Sequence, residues 1–105
     1  MRVLYVNVLP YGAHPGIDAL AHGLDHRLRQ AGIELRTLTT DVRTPDWVEK
    51  QTAAIQRGIA ARVDGIIVYV LDPTQPAQAV ATARQHGIPV FTLERPRYPV
   101  NASLV

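Results

Sequence analysis

The chain has 105 residues, 11 Lys and Arg against 9 Asp and Glu, a formal net charge of +2 and no cysteine. That length suits one domain with a real core and leaves little room for two. The missing cysteine excludes disulfides and thiolate chemistry. No apolar run approaches the length of a bilayer span, so no membrane insertion is expected. The arginines stand among acids, as in Asp25-His26-Arg27 and Asp41-Val42-Arg43. The surface therefore reads as mixed and solvated, with no stripe for nucleic acid.

Short apolar runs alternate with helical patterns. Val3 to Leu9 is a buried strand, followed by a Gly/Pro loop from Tyr11 to Gly16. Ile17, Leu20, Ala21, Leu24 and Leu28 then recur at helical spacing and form one apolar stripe. His22, Asp25, His26 and Arg29 fall on the opposite face, and Gly32 follows where a helix end favours positive φ. Ile33 to Thr39 is a second, more polar strand, expected nearer an edge.

Thr44 and Pro45 mark the expected start of a second helix, the threonine as cap and the proline in the first turn. Trp47, Val48, Ile55 and Ile59 supply its apolar side. Gly65 to Leu71 is apolar almost throughout, as expected of a strand covered by helices on both faces. A third helix starts near Thr74 or Gln75, turns Ala79, Val80 and Ala83 inward, and ends at His86-Gly87. Ile88 to Leu93 is a fourth strand. A Pro-rich stretch from Arg95 to Asn101 follows, and Ala102 to Val105 is a candidate fifth strand.

This alternation predicts a three-layer α/β/α sandwich on a parallel sheet of four or five strands, with right-handed crossovers. Ligands of such sheets bind beyond the carboxyl ends of the strands. The residues there are Pro10 to Pro15, then Asp41 and Arg43, then Asp72, then Glu94 and Arg95. The first loop has neither GxGxxG nor GxxxxGK[ST] spacing, and its prolines remove amide donors, so no nucleotide or flavin cofactor is expected. There is no Gly-x-Ser-x-Gly elbow and no sequence-adjacent acid/base pair, so a binding module is expected in place of an enzyme.

Each singled-out residue has an ordinary structural reading beside the functional one. Glu94 and Arg95 fit either a ligand contact or a solvated pair at a strand end. Asp72 fits a cap of the third helix as well as a ligand contact. Tyr11 and His14 fit ligand contacts or ordinary loop positions. Asn7 reads as a hydrogen-bonded core amide and Trp47 as packing. His22 and His26 have metal-compatible spacing without a third ligand, so no metal is expected. Asn101-Ala102-Ser103 is a chance match to a glycosylation sequon.

The stretch Gly65-Ile66-Ile67-Val68, then Asp72, an Ala-rich helix, and His86-Gly87-Ile88-Pro89-Val90-Phe91-Thr92-Leu93-Glu94-Arg95 resembles the periplasmic sugar-binding proteins of the ribose-binding type. The ligand-binding cores of LacI-type repressors share the pattern. Pro15, Gly23 and Ala31-Gly32-Ile33, and later Gln51 and Ile55, fit the same series. The likeness covers essentially the whole chain.

The resemblance implies a flavodoxin-like strand order, 2-1-3-4-5. It implies that the chain is the N-terminal lobe of a two-lobed protein, ending where the crossover to an absent second lobe would start. It further implies a sugar or small polyol as ligand and delivery to an ABC permease. Glu94-Arg95 matches the acid-arginine pair that hydrogen-bonds sugar hydroxyls, and Asp72 matches an acidic position near the cleft. His14-Pro15-Gly16-Ile17 departs from the family's aromatic pair in the first loop, where Tyr11 is the nearby aromatic.

The family setting is periplasmic or extracellular. The start, Met1 to Val6, lacks the sections of a secretory signal, and both a removed signal and a cytosolic protein fit. Two alternatives stand beside the transporter reading: the sensing core of a LacI-type regulator, and a stand-alone flavodoxin-like enzyme or receiver. For an isolated lobe, a homodimer through the exposed cleft or hinge face is expected.

Overall fold

A computed structural model describes residues 1–70 and 77–94. Its elements are β1 (Arg2–Asn7), α1 (Pro15–Gln30), β2 (Glu34–Thr39), α2 (Trp47–Ala60), β3 (Gly65–Val70), α3 (Ala77–Gln85) and β4 (Val90–Glu94). The strands form one parallel sheet in the order β2-β1-β3-β4. That is the expected flavodoxin-like order for four strands. The candidate fifth strand at 102–105 and the expected onset of α3 at 74–76 lie outside the described residues.

Register puts alternate residues of neighbouring strands on one face. Leu4, Val6, Ile66, Val68 and Val90 point to the side of α2 and α3 and join Ala54, Ile55, Ala79, Val80, Ala83 and Ile88 in one core. No residue of α1 belongs to that core. α1 packs on the opposite face, as right-handed crossovers to either side of β1 require. Its apolar stripe is less deeply covered: Ala21 is buried, while Ile17, Leu20, Leu24 and Leu28 are half-buried.

β3 departs from its expected cover. Its residues toward α2 and α3 are buried, but Ile67 and Tyr69 on the other face are only half-buried. Beside them on β4, Phe91 is 62% exposed. The run is apolar on both sides, yet among the described residues helices lie over one side only.

The helix ends share one geometry. After α1, Gly32 N–H donates to Arg29 O and Ile33 N–H to Leu28 O; after α3, Gly87 and Ile88 repeat the pattern on Arg84 and Ala83. Gly32 and Gly87 sit at φ +77° and +78°, where a side chain would be strained. After α2 the same turn is made with Arg62 at φ 55°. The Arg2 guanidinium donates to Ala61 O at 2.7 Å there, and Arg2 N–H donates to Asp64 Oδ2 at 2.7 Å, tying this end to β1. At Gly58, α2 lies so close to the sheet that a Cβ would stand 2.8 Å from Leu4 Cδ2.

The start of α2 differs from expectation. Asp46, not Thr44, occupies the cap position, and its side chain makes no capping bond. The Thr44 hydroxyl is already used, donating to Asp41 O at 2.7 Å in the turn that precedes the helix. Pro45 lies in that turn, so the helix begins two residues later than the sequence signal.

Candidate functional site

All four strands end on the same side of the molecule, where the first two loops are built around Asn7. This residue is fully buried. Its Oδ1 accepts from Val8 N–H at 3.0 Å and from the Tyr5 hydroxyl at 3.2 Å, and its Nδ2 donates to Leu9 O. Thr40 donates to Asn7 O through both its amide and its hydroxyl. Val42 N–H then reaches Val8 O at 3.0 Å. The expected core amide therefore holds the end of β1, while the main-chain carbonyls of Asn7 and Val8 tie it to the end of β2. Burial, with Tyr69 and Tyr11 nearby, pushes the Tyr5 hydroxyl up to about 12, so it stays a neutral donor to Asn7.

The first loop carries Tyr11 and His14. His14 caps α1: its Nδ1 accepts from Gly16 N–H at 3.0 Å and Ile17 N–H at 3.2 Å. An imidazole accepting at Nδ1 carries its proton on Nε2 when neutral, which leaves one N–H donor. Tyr11 is 53% exposed, and its ring lies 5.2 Å from that of His22, tilted by 36°. Asp18, in the first turn of α1, accepts from Gly12 N–H at 2.9 Å through Oδ2. Its other oxygen is buried with no partner among the described residues.

The second loop holds Asp41 and Arg43 in a two-pronged pair, Nε to Oδ1 and Nη2 to Oδ2, both at 2.9 Å. The bonds from the Arg43 side chain and backbone pull the Asp41 carboxyl down to about 2, and its carboxylate raises the Arg43 guanidinium in turn. Beneath the third strand end, fully buried Gln51 donates to Tyr69 O at 3.0 Å, while its Oε1 has no partner among the described residues.

The structure brings Tyr11, His14 and the Asp41-Arg43 pair to the same end of the sheet. Glu94 is the last residue of β4, paired with Val70. The side chain of Glu94, and all of Asp72 and Arg95, lie outside the described residues. The sequence marks neither Asp18 nor Gln51 as a site residue, and Gln51 enters only through the family-like series. A first-turn acid and a helix glutamine are common on solvated faces, and only the fold buries their oxygens. His22 and His26 are both exposed, and no group of three or more metal-binding side chains gathers among the described residues. No helix among them is long and apolar enough to cross a membrane.

The chain is similar to several solved structures. One is a periplasmic solute-binding protein of an ABC transporter from Actinobacillus succinogenes 130z, with bound D-allose, at 21% identity and a TM-score of 0.73. The match covers 98% of this chain and 33% of that one. A second is an ABC transporter solute-binding protein from Mycobacterium smegmatis with bound glycerol, at 21% identity and a TM-score of 0.76, over 90% of this chain and 31% of that one. A third is the binding component of the arabinose ABC transporter from Shewanella sp. ANA-3, bound to α- and β-L-arabinofuranose, at 22% identity and a TM-score of 0.71, over 88% and 28%. At these identities the likeness is one of fold, and the chain spans about a third of their length. No curated protein sequence matches it significantly. The family model described as the periplasmic binding protein domain matches residues 5–104, and the chain belongs to that family.

Proposed function

We propose that this chain is the N-terminal lobe of a two-lobed solute-binding protein of an ABC transporter, working outside the cytoplasm and taking a sugar or small polyol at the carboxyl ends of its strands. The observation that carries the reading is the family match along almost the whole chain, 5–104. The bound D-allose, glycerol and arabinofuranose of the similar structures support a sugar or polyol as the ligand class. The role is binding by hinge closure over the ligand, with no chemical step.

In this reading Glu94 and Arg95 hold sugar hydroxyls, the carboxylate accepting and the guanidinium donating. Asp72 adds a second acceptor. Tyr11 offers a ring face and His14 its Nε2–H. The test is an NMR titration of the chain with D-allose, L-arabinose and glycerol. The expected result is saturable shifts at the amides of Gly12, Ala13, His14 and Thr40, weakened in Glu94→Ala and Arg95→Ala. Shifts confined to other regions, or none with any of the three, would sink the assignment. A saturating ligand at 100 times its Kd also adds about 2.7 kcal/mol of stability in a melting experiment.

Among the described residues one side of β3 and β4 is only partly covered, with Ile67, Tyr69 and Leu93 half-buried and Phe91 exposed, which supports the view that a complete lobe carries more cover. On its own the chain is then expected to form homodimers. Sedimentation velocity checks this: a concentration-dependent dimer should shift toward monomer in Phe91→Asp. A strict monomer at all concentrations would rule the dimer out.

A further inference from the structure

A cleft of about 160 Å³ lies at the opposite end of the sheet, beside the amino-terminal ends of β1 and β2. Its floor is apolar, with Leu4 and Leu38, and its rim holds Arg2, Arg36, Arg57 and Glu34. The cleft follows from the packing. Gly58 lets α2 sit directly on Leu4 and Ile66, over β1 and β3. Among the described residues no helix packs closely on the inward side of edge strand β2, where Arg36 and Leu38 point.

The three guanidiniums are not equivalent. Arg2 is already fixed by the carbonyls that end α2. Arg36 and Arg57 are exposed and make no ion pair or side-chain hydrogen bond among the described residues. Glu34, one register step below Arg36 and opposite Arg2, is likewise without an ion pair there. Three guanidiniums against Glu34 on the rim, with the nearby Asp64 already engaged by the Arg2 amide, set around an apolar floor, favour an anion that also carries a short hydrocarbon part. A guanidinium grips a carboxylate through two parallel N–H···O bonds, while the floor takes the tail.

We infer that this cleft is a second binding site, selective for small organic carboxylates with an apolar tail, held by Arg36 and Arg57. It is separate from the strand-end site and does not depend on the sugar reading. Hexanoate is the probe, with hexanol supplying the tail without charge and sulfate the charge without tail. In NMR titrations of the full chain, hexanoate should give saturable shifts at Leu4, Leu38 and Ala61, and leave Gly12 and His14 unmoved. Hexanol and sulfate should each bind roughly tenfold more weakly.

Arg36→Ala and Arg57→Ala should each weaken hexanoate about tenfold, and Glu34→Gln should tighten it about threefold. Both arginines are solvent-exposed, so unchanged spectra elsewhere would show that the variants fold. Absence of saturable hexanoate shifts up to about 50 mM would overturn the inference. So would equal binding of hexanol, or binding that survives the double substitution.

Discussion

The two faces of the sheet are built from the same strands and end in different states. Toward α2 and α3, Val6, Ile66 and Val68 are fully buried against Ile55, also fully buried. Toward α1, Tyr5 is just as buried, but two strands away Phe91 is 62% exposed. β1 and β3 are apolar on both sides, so the difference comes from the cover. Among the described residues, two helices lie over one face, and α1 lies over only the β1 and β2 part of the other. An apolar strand side reports a need for burial; whether the need is met depends on elements elsewhere in the chain.

Substitutions can break or sharpen this contrast. Ile55→Ala removes buried volume from the closed face and should cost about 3 kcal/mol in denaturant unfolding. Asn7→Ala probes the closed part of the α1 face. It strands the Tyr5 hydroxyl and the Val8 amide, and should cost about 2 kcal/mol, with loss of amide-exchange protection at Val8 and Thr40. Arg62→Gly touches neither face and relieves the left-handed residue after α2. It should stabilise by about 1 kcal/mol, raising the unfolding midpoint in every variant alike.

Phe91→Ala acts on the open face and should change monomer stability by less than about 0.5 kcal/mol. A cost near that of Ile55→Ala would mean that Phe91 is covered in solution. The smallest effect lies outside both faces. The Asp41 carboxyl, held low by Arg43, should titrate near 2, and Arg43→Ala should return it to about 4, read by carboxyl NMR. Because the folded value is depressed, the pair's contribution is complete above about 4 and fades as pH falls through about 2.

The element order is legible because short continuous apolar runs and helical stripes do not overlap in this chain. Gly32 and Gly87 marked two helix ends for a stereochemical reason. The third end was invisible, because an arginine at positive φ leaves no compositional trace. The onset of α2 was misplaced since Thr44 has two possible acceptors, and only the turn from Asp41 decides between them. At the site, the strand ends were readable from topology. The pairing of Tyr11 with His22, the His14 cap and the buried oxygens of Asp18 and Gln51 depend on how loops fold back on helices. No local spacing encodes that.

The three matching turns that follow the helices have a consequence for how such a lobe can change. Every described passage from helix to strand is short and shares one pair of backbone bonds, with Arg2 and Asp64 adding side-chain bonds after α2. Every described passage from strand to helix is irregular and carried by side chains such as Asn7, His14 and Thr44. One end of the molecule thus works as a fixed chassis, and the other as an interchangeable fitting. Loop sequences at the fitting end can be exchanged for new ligand preferences while the chassis keeps the strand order and register intact.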